Sequence, residues 1–157
     1  LAWRLPVFTR RAQRATVSHP KLYLFDAGVF RSLRPAGPLD RPHEIEGAAL
    51  EGLVAQHLRA WIAYTGGTHE LCYWRTRSGV EVDLVLYGDA GIHAFEVKNA
   101  SLPRPEYLRG LRAFLDDYPK ARATLLYRGR ERSEVWGVAC VPVHEFLLAL
   151  TPGRLPE

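Results

Sequence analysis

Between residues 70 and 98 the chain carries three β-prone runs separated only by turns: Leu71–Arg75, Val80–Tyr87 and Ile92–Val97. Ser78-Gly79 divides the first two, and Gly88-Asp89-Ala90-Gly91 divides the second two. Connections this short suit hairpins, whereas a parallel crossover needs a dozen residues or more. The region therefore predicts an antiparallel meander, and the rest of the chain must supply whatever covers it.

Helical patterns flank the meander. From Glu44 to Tyr64 the residues Leu50, Leu53, Val54, His57, Leu58, Trp61 and Ile62 recur at helical spacing, and Gly66-Gly67 supplies a stop. His57 on that stripe reads as a core residue with a satisfied nitrogen. Pro103 and Pro105 open a second helix to Asp117, with Tyr107, Leu108, Leu111, Phe114 and Leu115 on one face, and Pro119 ends it. Ala123–Tyr127 and Val138–Val143 read as further strands, and His144–Leu150 as a short closing helix. Upstream, Lys21–Phe25 is a β-prone run, and Asp26 is placed to cap a brief helix over Ala27–Leu33. Pro35, Gly37, Pro38 and Pro42 mark a loop. The order helix, three strands, helix, strand predicts an α/β fold (α+β, mixed sheet) with helices on the faces of the sheet.

A length of 157 residues, 47% hydrophobic and 24% charged, suits one globular core. The cysteines, Cys72 and Cys140, lie in apolar runs and have no zinc-site spacing, so buried free thiols are expected. No apolar stretch approaches the roughly 18 residues that span a bilayer, and no signal-peptide pattern opens the chain. The expectation is a soluble, cytoplasmic protein with no membrane partner. The net charge is +4 and arginine dominates the basic residues, which is compatible with nucleic acid but does not demand it.

Core strands do not carry acids in their middles unless something pairs with them. Glu81 and Asp83 nevertheless interrupt Val80–Leu86, and Glu96 and Lys98 follow the apolar Ile92–Phe95 stretch. Side chains alternate along a strand, so Glu81 shares a face with Asp83, and Glu96 shares one with Lys98. Asp83 and Glu96 are hard oxygen donors suited to Mg²⁺ or Mn²⁺, and the Val97 carbonyl is a third candidate ligand. Lys98 is placed to orient or deprotonate a water, or to steady charge on a phosphate. Glu51, at the edge of the first helix's apolar stripe, is the favoured fourth group, with Glu46 as its competitor. Glu81 fits a salt bridge or a supporting role as well as metal binding. Arg75 and Arg77 sit at the adjoining turn as candidate phosphate contacts. Tyr73 and Trp74 read as core more readily than as stacking platforms.

Asp83 followed by Glu96-Val97-Lys98 resembles the PD-(D/E)xK nuclease superfamily, with Val82 where the motif has proline. A wider likeness takes in Pro20–Gly28, Gly47–Glu51, Tyr73–Thr76, Gly79–Asp83 and Phe95–Lys98. These segments resemble the uncharacterised C-terminal domain of many prokaryotic AAA-type ATPases, domain of unknown function 4143. The resemblance implies a PD-(D/E)xK nuclease-like core over residues 44–157. It makes residues 1–43 a basic lead-in from an ATPase domain upstream, consistent with a chain that starts at Leu1 and contains no methionine. It implies a metal-dependent DNA endonuclease built on Asp83, Glu96, Lys98 and Glu51, with DNA and the ATPase as partners. The alternative is a non-catalytic DNA- or protein-binding module regulating that ATPase. This chain has no Gly-x-x-x-x-Gly-Lys-[Ser/Thr] phosphate loop of its own.

Overall fold

The computed structural model describes residues 2–34, 37–89 and 91–156; Leu1, Pro35 and Ala90, on which parts of the loop, turn and chain-start readings fall, lie outside the described residues. In chain order the elements are β1 (Ala2–Leu5), β2 (Lys21–Leu24), α1 (Ala27–Leu33), α2 (Pro42–Thr65), β3 (Glu70–Arg75), β4 (Glu81–Gly88) and β5 (Gly91–Lys98). A 3-10 turn (Pro105–Leu108) leads into α3 (Arg109–Asp117), followed by β6 (Arg122–Tyr127), β7 (Ser133–Val135), β8 (Val138–Pro142) and α4 (Val143–Ala149).

The predicted meander forms the first half of a six-stranded mixed sheet of order β3-β4-β5-β6-β8-β7. β3, β4 and β5 are antiparallel, and β6 joins β5 in parallel after the α3 crossover. One apolar cluster packs α2 and α4 on one face through Leu50, Val54, Leu58, Trp61 and Phe146. Another packs α3 on the other face through Leu108, Leu111 and Phe114. Burying both faces explains why β4 and β5 read as near-continuous apolar runs. Cys72 and Cys140 are buried and free, as expected.

Local signals act as their chemistry requires. Asp26 Oδ1 accepts the Val29 N–H at 2.8 Å to cap α1, and Gly66 ends α2 in the left-handed region at φ +66°. His57 departs from the sequence reading. It faces solvent, with Nδ1 2.8 Å from the Leu53 carbonyl oxygen, because the buried stripe runs through Leu50, Val54, Ala55, Leu58 and Trp61, one position to the side.

Two strands escaped the sequence reading. β1 pairs with β2 in a separate two-stranded sheet, and residues 6–8 then run along the edge of β3, with Phe8 N–H donating to the Tyr73 carbonyl at 2.7 Å. That segment covers an otherwise open sheet edge. β7 returns to β8 through the two-residue turn Trp136-Gly137, both at positive φ.

Candidate functional site

The β4–β5 ladder stops at Leu84↔Phe95. Beyond that pair the strands part: β4 continues against β3 through Glu81 and Val82, and β5 continues against β6 through Glu96, Val97 and Lys98. A fork opens between them, and the charged residues occupy it. Asp83 sits at its apex, where Oδ2 accepts the Val97 N–H at 2.9 Å. A residue's N–H and C=O point to the same side of a strand, so the Val97 carbonyl faces the same fork.

A bulge aims Asp83 there. Cys72 pairs with Val85 but Trp74 pairs with Val82, so Asp83 and Leu84 together stand opposite the single Tyr73. Alternation breaks accordingly: Val82 and Val85 both pack on the α3 side, while Leu84 packs on the α2 side.

Glu96 and Lys98 project toward α3. Lys98 Nζ lies 2.5 Å from Glu96 Oε1 and 4.0 Å from Asp83 Oδ2. Glu96 Oε2 is buried and has no hydrogen-bond partner among the described residues. A cavity of about 200 Å³ opens on this pair, walled by Tyr107, Arg109 and Gly110. Gly110 is required at this wall, since a Cβ there would stand 1.8 Å from the Glu81 carbonyl oxygen.

On the α2 side a lysine from β2 completes the cluster. Lys21 Nζ contacts Glu81 Oε1, lies 3.1 Å from Glu51 Oε1 and 4.0 Å from Asp83 Oδ1. The Tyr23 hydroxyl donates to the same Glu51 oxygen. An apolar pocket of about 500 Å³ between β2, α1 and α2 borders Glu51 and Lys21.

The electrostatics follow from crowding acids in a dry place. Burial, with the nearby charges of Glu96 and Glu51, holds the Asp83 carboxyl well above the usual carboxylate range, against the pull of Lys98 and Lys21. Burial raises Glu96 as well, and Lys98 offsets part of that rise. Burial opposes the charge on both lysines, yet the surrounding carboxylates hold both above the ordinary lysine value. Burial and Glu51 push the Tyr23 phenol up, so it stays a donor.

The donor chemistry suits a hard divalent cation. Mg²⁺ is bound by one or two carboxylates and keeps several waters. Asp83 and Glu96 supply two carboxylates, Glu96 Oε2 is a free lone-pair donor, and the Val97 backbone borders the fork at Asp83. Among the described residues no three His, Cys, Asp or Glu side chains converge closely enough to hold a metal between them. The set fits a water-rich two-carboxylate site rather than an all-protein cage.

Residues 46–146 match the family described as Domain of unknown function (DUF4143). The chain belongs to that family. It is also 32% identical over 142 residues to the uncharacterized proteins Mb2031c of Mycobacterium bovis and Rv2008c of Mycobacterium tuberculosis, a match covering 88% of this chain. The chain spans about 30% of the length of those relatives. No solved structure matches it.

In this DUF4143 domain the strand residues singled out from the sequence, Asp83, Glu96 and Lys98, come together, and Glu51 joins them through Lys21. Glu46 instead pairs with Arg31 and Arg128. Glu81 is ion-paired with Lys21 and with Arg75, whose Nε is 3.5 Å away. Arg77 is exposed at the neighbouring turn, and Tyr73 and Trp74 are buried in the core. Arg10 is bound by Glu70, and Arg14 donates to the Ala113 carbonyl in the middle of α3. The residues missed in the sequence are Lys21 and Tyr23. Their alternation in Lys-Leu-Tyr-Leu was a usable signal, since it puts both polar tips on one face of a strand. Among the described residues no helix is long and apolar enough to cross a membrane.

Proposed function

We propose that the domain is a divalent-metal-dependent phosphodiesterase acting on DNA, with Asp83 and Glu96 as the carboxylate ligands. The observation that carries this reading is the fork between β4 and β5, which brings Asp83, Glu96, Lys98 and the Val97 backbone together and leaves one buried oxygen of Glu96 without a partner. A bound Mg²⁺ or Mn²⁺ would lower the pKa of a water and polarise the phosphate. Lys98, tethered to Glu96, orients that water or steadies charge growing on the phosphate oxygens. Arg109, on the wall of the cavity over Glu96 and Lys98, and Arg75 and Arg77, exposed at the adjoining turn, are placed to receive flanking phosphates. The resemblance in the sequence supports a role as the C-terminal effector of a prokaryotic AAA-type ATPase.

A second reading has its own support. Glu51, Glu81, Asp83 and Glu96 are already matched by Lys21, Lys98 and Arg75. A cluster so nearly neutral is also compatible with a non-catalytic module that binds DNA or regulates the ATPase. The deciding assay is cleavage of labelled single-stranded, duplex and branched DNA with Mg²⁺ or Mn²⁺, comparing wild type with Asp83→Asn and Lys98→Ala. The nuclease reading expects cleavage by wild type and background levels from both variants. Cleavage that survives both substitutions rules out this site, and DNA retention without cleavage moves the binding reading to first place.

A further inference from the structure

Trp136 is held where a bulky side chain is least expected. It opens the two-residue Trp136-Gly137 turn between β7 and β8 at φ +51°, in the left-handed region, where such turns favour asparagine and glycine. Core packing does not account for it, because the residue is 63% exposed whereas Trp61 and Trp74 are buried. The Arg112 guanidinium of α3 lies over the ring, 4.9 Å from its centroid. An open groove of about 530 Å³ on the surface of α3 takes in both residues together with Glu106, Arg109 and Asp116. Glu106 and Arg109 also line the cavity over Glu96 and Lys98, so the groove leads to the candidate site.

We propose that Trp136 is a stacking platform for an unpaired base, and that the groove from Trp136 to Arg109 carries a single-stranded stretch of DNA to the site. The inference rests on the reading of that site as a DNA phosphodiesterase, but the platform is tested separately. The charge of the groove suits a phosphate backbone. Its two acids are paired with cations from outside it, Glu106 with Arg104 at 3.8 Å and Asp116 with Arg14 at 3.7 Å. Arg109 and Arg112 have no carboxylate partner among the described residues, so positive charge is what the groove leaves over. The two arginines stand three residues apart, as neighbours on one side of α3. An aromatic ring stacks only on a base that has left the duplex, and it accepts any base because each has a π face. The groove is therefore selective for an unpaired strand and not for a sequence.

The test is binding of a labelled oligothymidylate and of a blunt duplex, at low salt in EDTA, followed by anisotropy and by tryptophan emission. Wild type is expected to hold the single strand more tightly than the duplex, with quenching of the exposed Trp136. Trp136→Asn, which suits the left-handed turn position, should bind the single strand roughly 5–150-fold more weakly while duplex binding stays unchanged. Arg112→Ala should weaken single-strand binding too, and Trp136→Phe should keep most of it. A Trp136→Asn protein that holds the single strand as wild type does overturns the proposal, as does an equal loss on both DNAs. Should Trp136→Asn be unfolded by circular dichroism, wild-type emission decides, since oligothymidylate binding without quenching overturns the platform. Quenching and single-strand preference without cleavage in Mn²⁺ remove the nuclease reading and leave the platform standing. Cleavage by wild type beside unweakened binding by Trp136→Asn does the reverse.

Discussion

Gly110→Ala puts the packing of α3 against the sheet to a test whose sign is opposite to simple helix chemistry. In an exposed helix the change gains about 1 kcal/mol from propensity. Here the added Cβ would lie 1.8 Å from the Glu81 carbonyl oxygen and 3.0 Å from its carbon, both fixed backbone atoms. An ordinary carbon-to-oxygen contact is roughly 3.3 Å, so α3 and β4 have to part by about 1.5 Å. A radial gap of about 1 Å already forfeits up to half of each dispersion contact. Leu108, Leu111 and Phe114, all fully buried, line the surface that opens. Overpacking of this kind costs about 1–3 kcal/mol or more, and we take about 3 kcal/mol because the obstacle is backbone. Set against the propensity gain, the net expected loss is about 2 kcal/mol. For a chain of this size that lowers the melting temperature by roughly 4–8 °C. Urea unfolding followed by circular dichroism measures it through the midpoint at unchanged slope. A Gly110→Ala protein as stable as wild type, or more so, refutes the argument that Gly110 is there for close approach.

Two pH-dependent predictions follow from buried groups of opposite sign. His93 is buried against Thr124 Oγ1 at 3.1 Å, and burial, with the charge of Arg122, depresses its pKa from 6.5 to about 4. Its stabilising contribution is complete above pH 6.5 and is lost as pH falls toward 4, by at most about 3 kcal/mol. The His93→Gln variant should show a shallower loss of melting temperature across that window, and an unchanged slope would exclude His93 as its source. Asp83 is raised, so its ionisation costs stability that is present in acid and lost as pH rises above the ordinary carboxylate range. Asp83→Asn should therefore melt higher than wild type at pH 8, with the advantage shrinking toward pH 4; a variant that melts lower at pH 8 contradicts this.

What could be read from the sequence was whatever depends on near neighbours. Asp26 caps its own helix, Gly66 ends its own helix, and the meander follows from turns too short for anything else. Asp83, Glu96 and Lys98 were legible because a single hairpin carries them. Lys21 was not, because it reaches the cluster only once β2 has paired with β1 and docked beside α2, and the sequence contains no local record of that docking. β1 was hidden for the same reason, its four residues having no partner nearer than Lys21. β7 was different: Val135-Trp136-Gly137-Val138 carries a glycine-containing two-residue turn between valines, and the signal was present but short. His57 was misplaced because a stripe drawn by spacing alone is uncertain by one position, which on a helix is 100°.

The bulge at Asp83 and Leu84 ties the fate of the cluster to that of the core. Were β4 regular through this point, Asp83 would stand opposite Trp74 and turn its carboxylate among Phe114 and Leu111. An unpaired carboxylate there costs several kcal/mol, against a total stability of about 5–15 kcal/mol for a domain. A register slip that removed the cluster would therefore remove much of the fold with it. Drift in a descendant chain can erase this site one side chain at a time, by exchanging Asp83, Glu96 or Lys98, but not by sliding the strand. Among such descendants the extra residue in β4 should outlast the charges it was placed to carry.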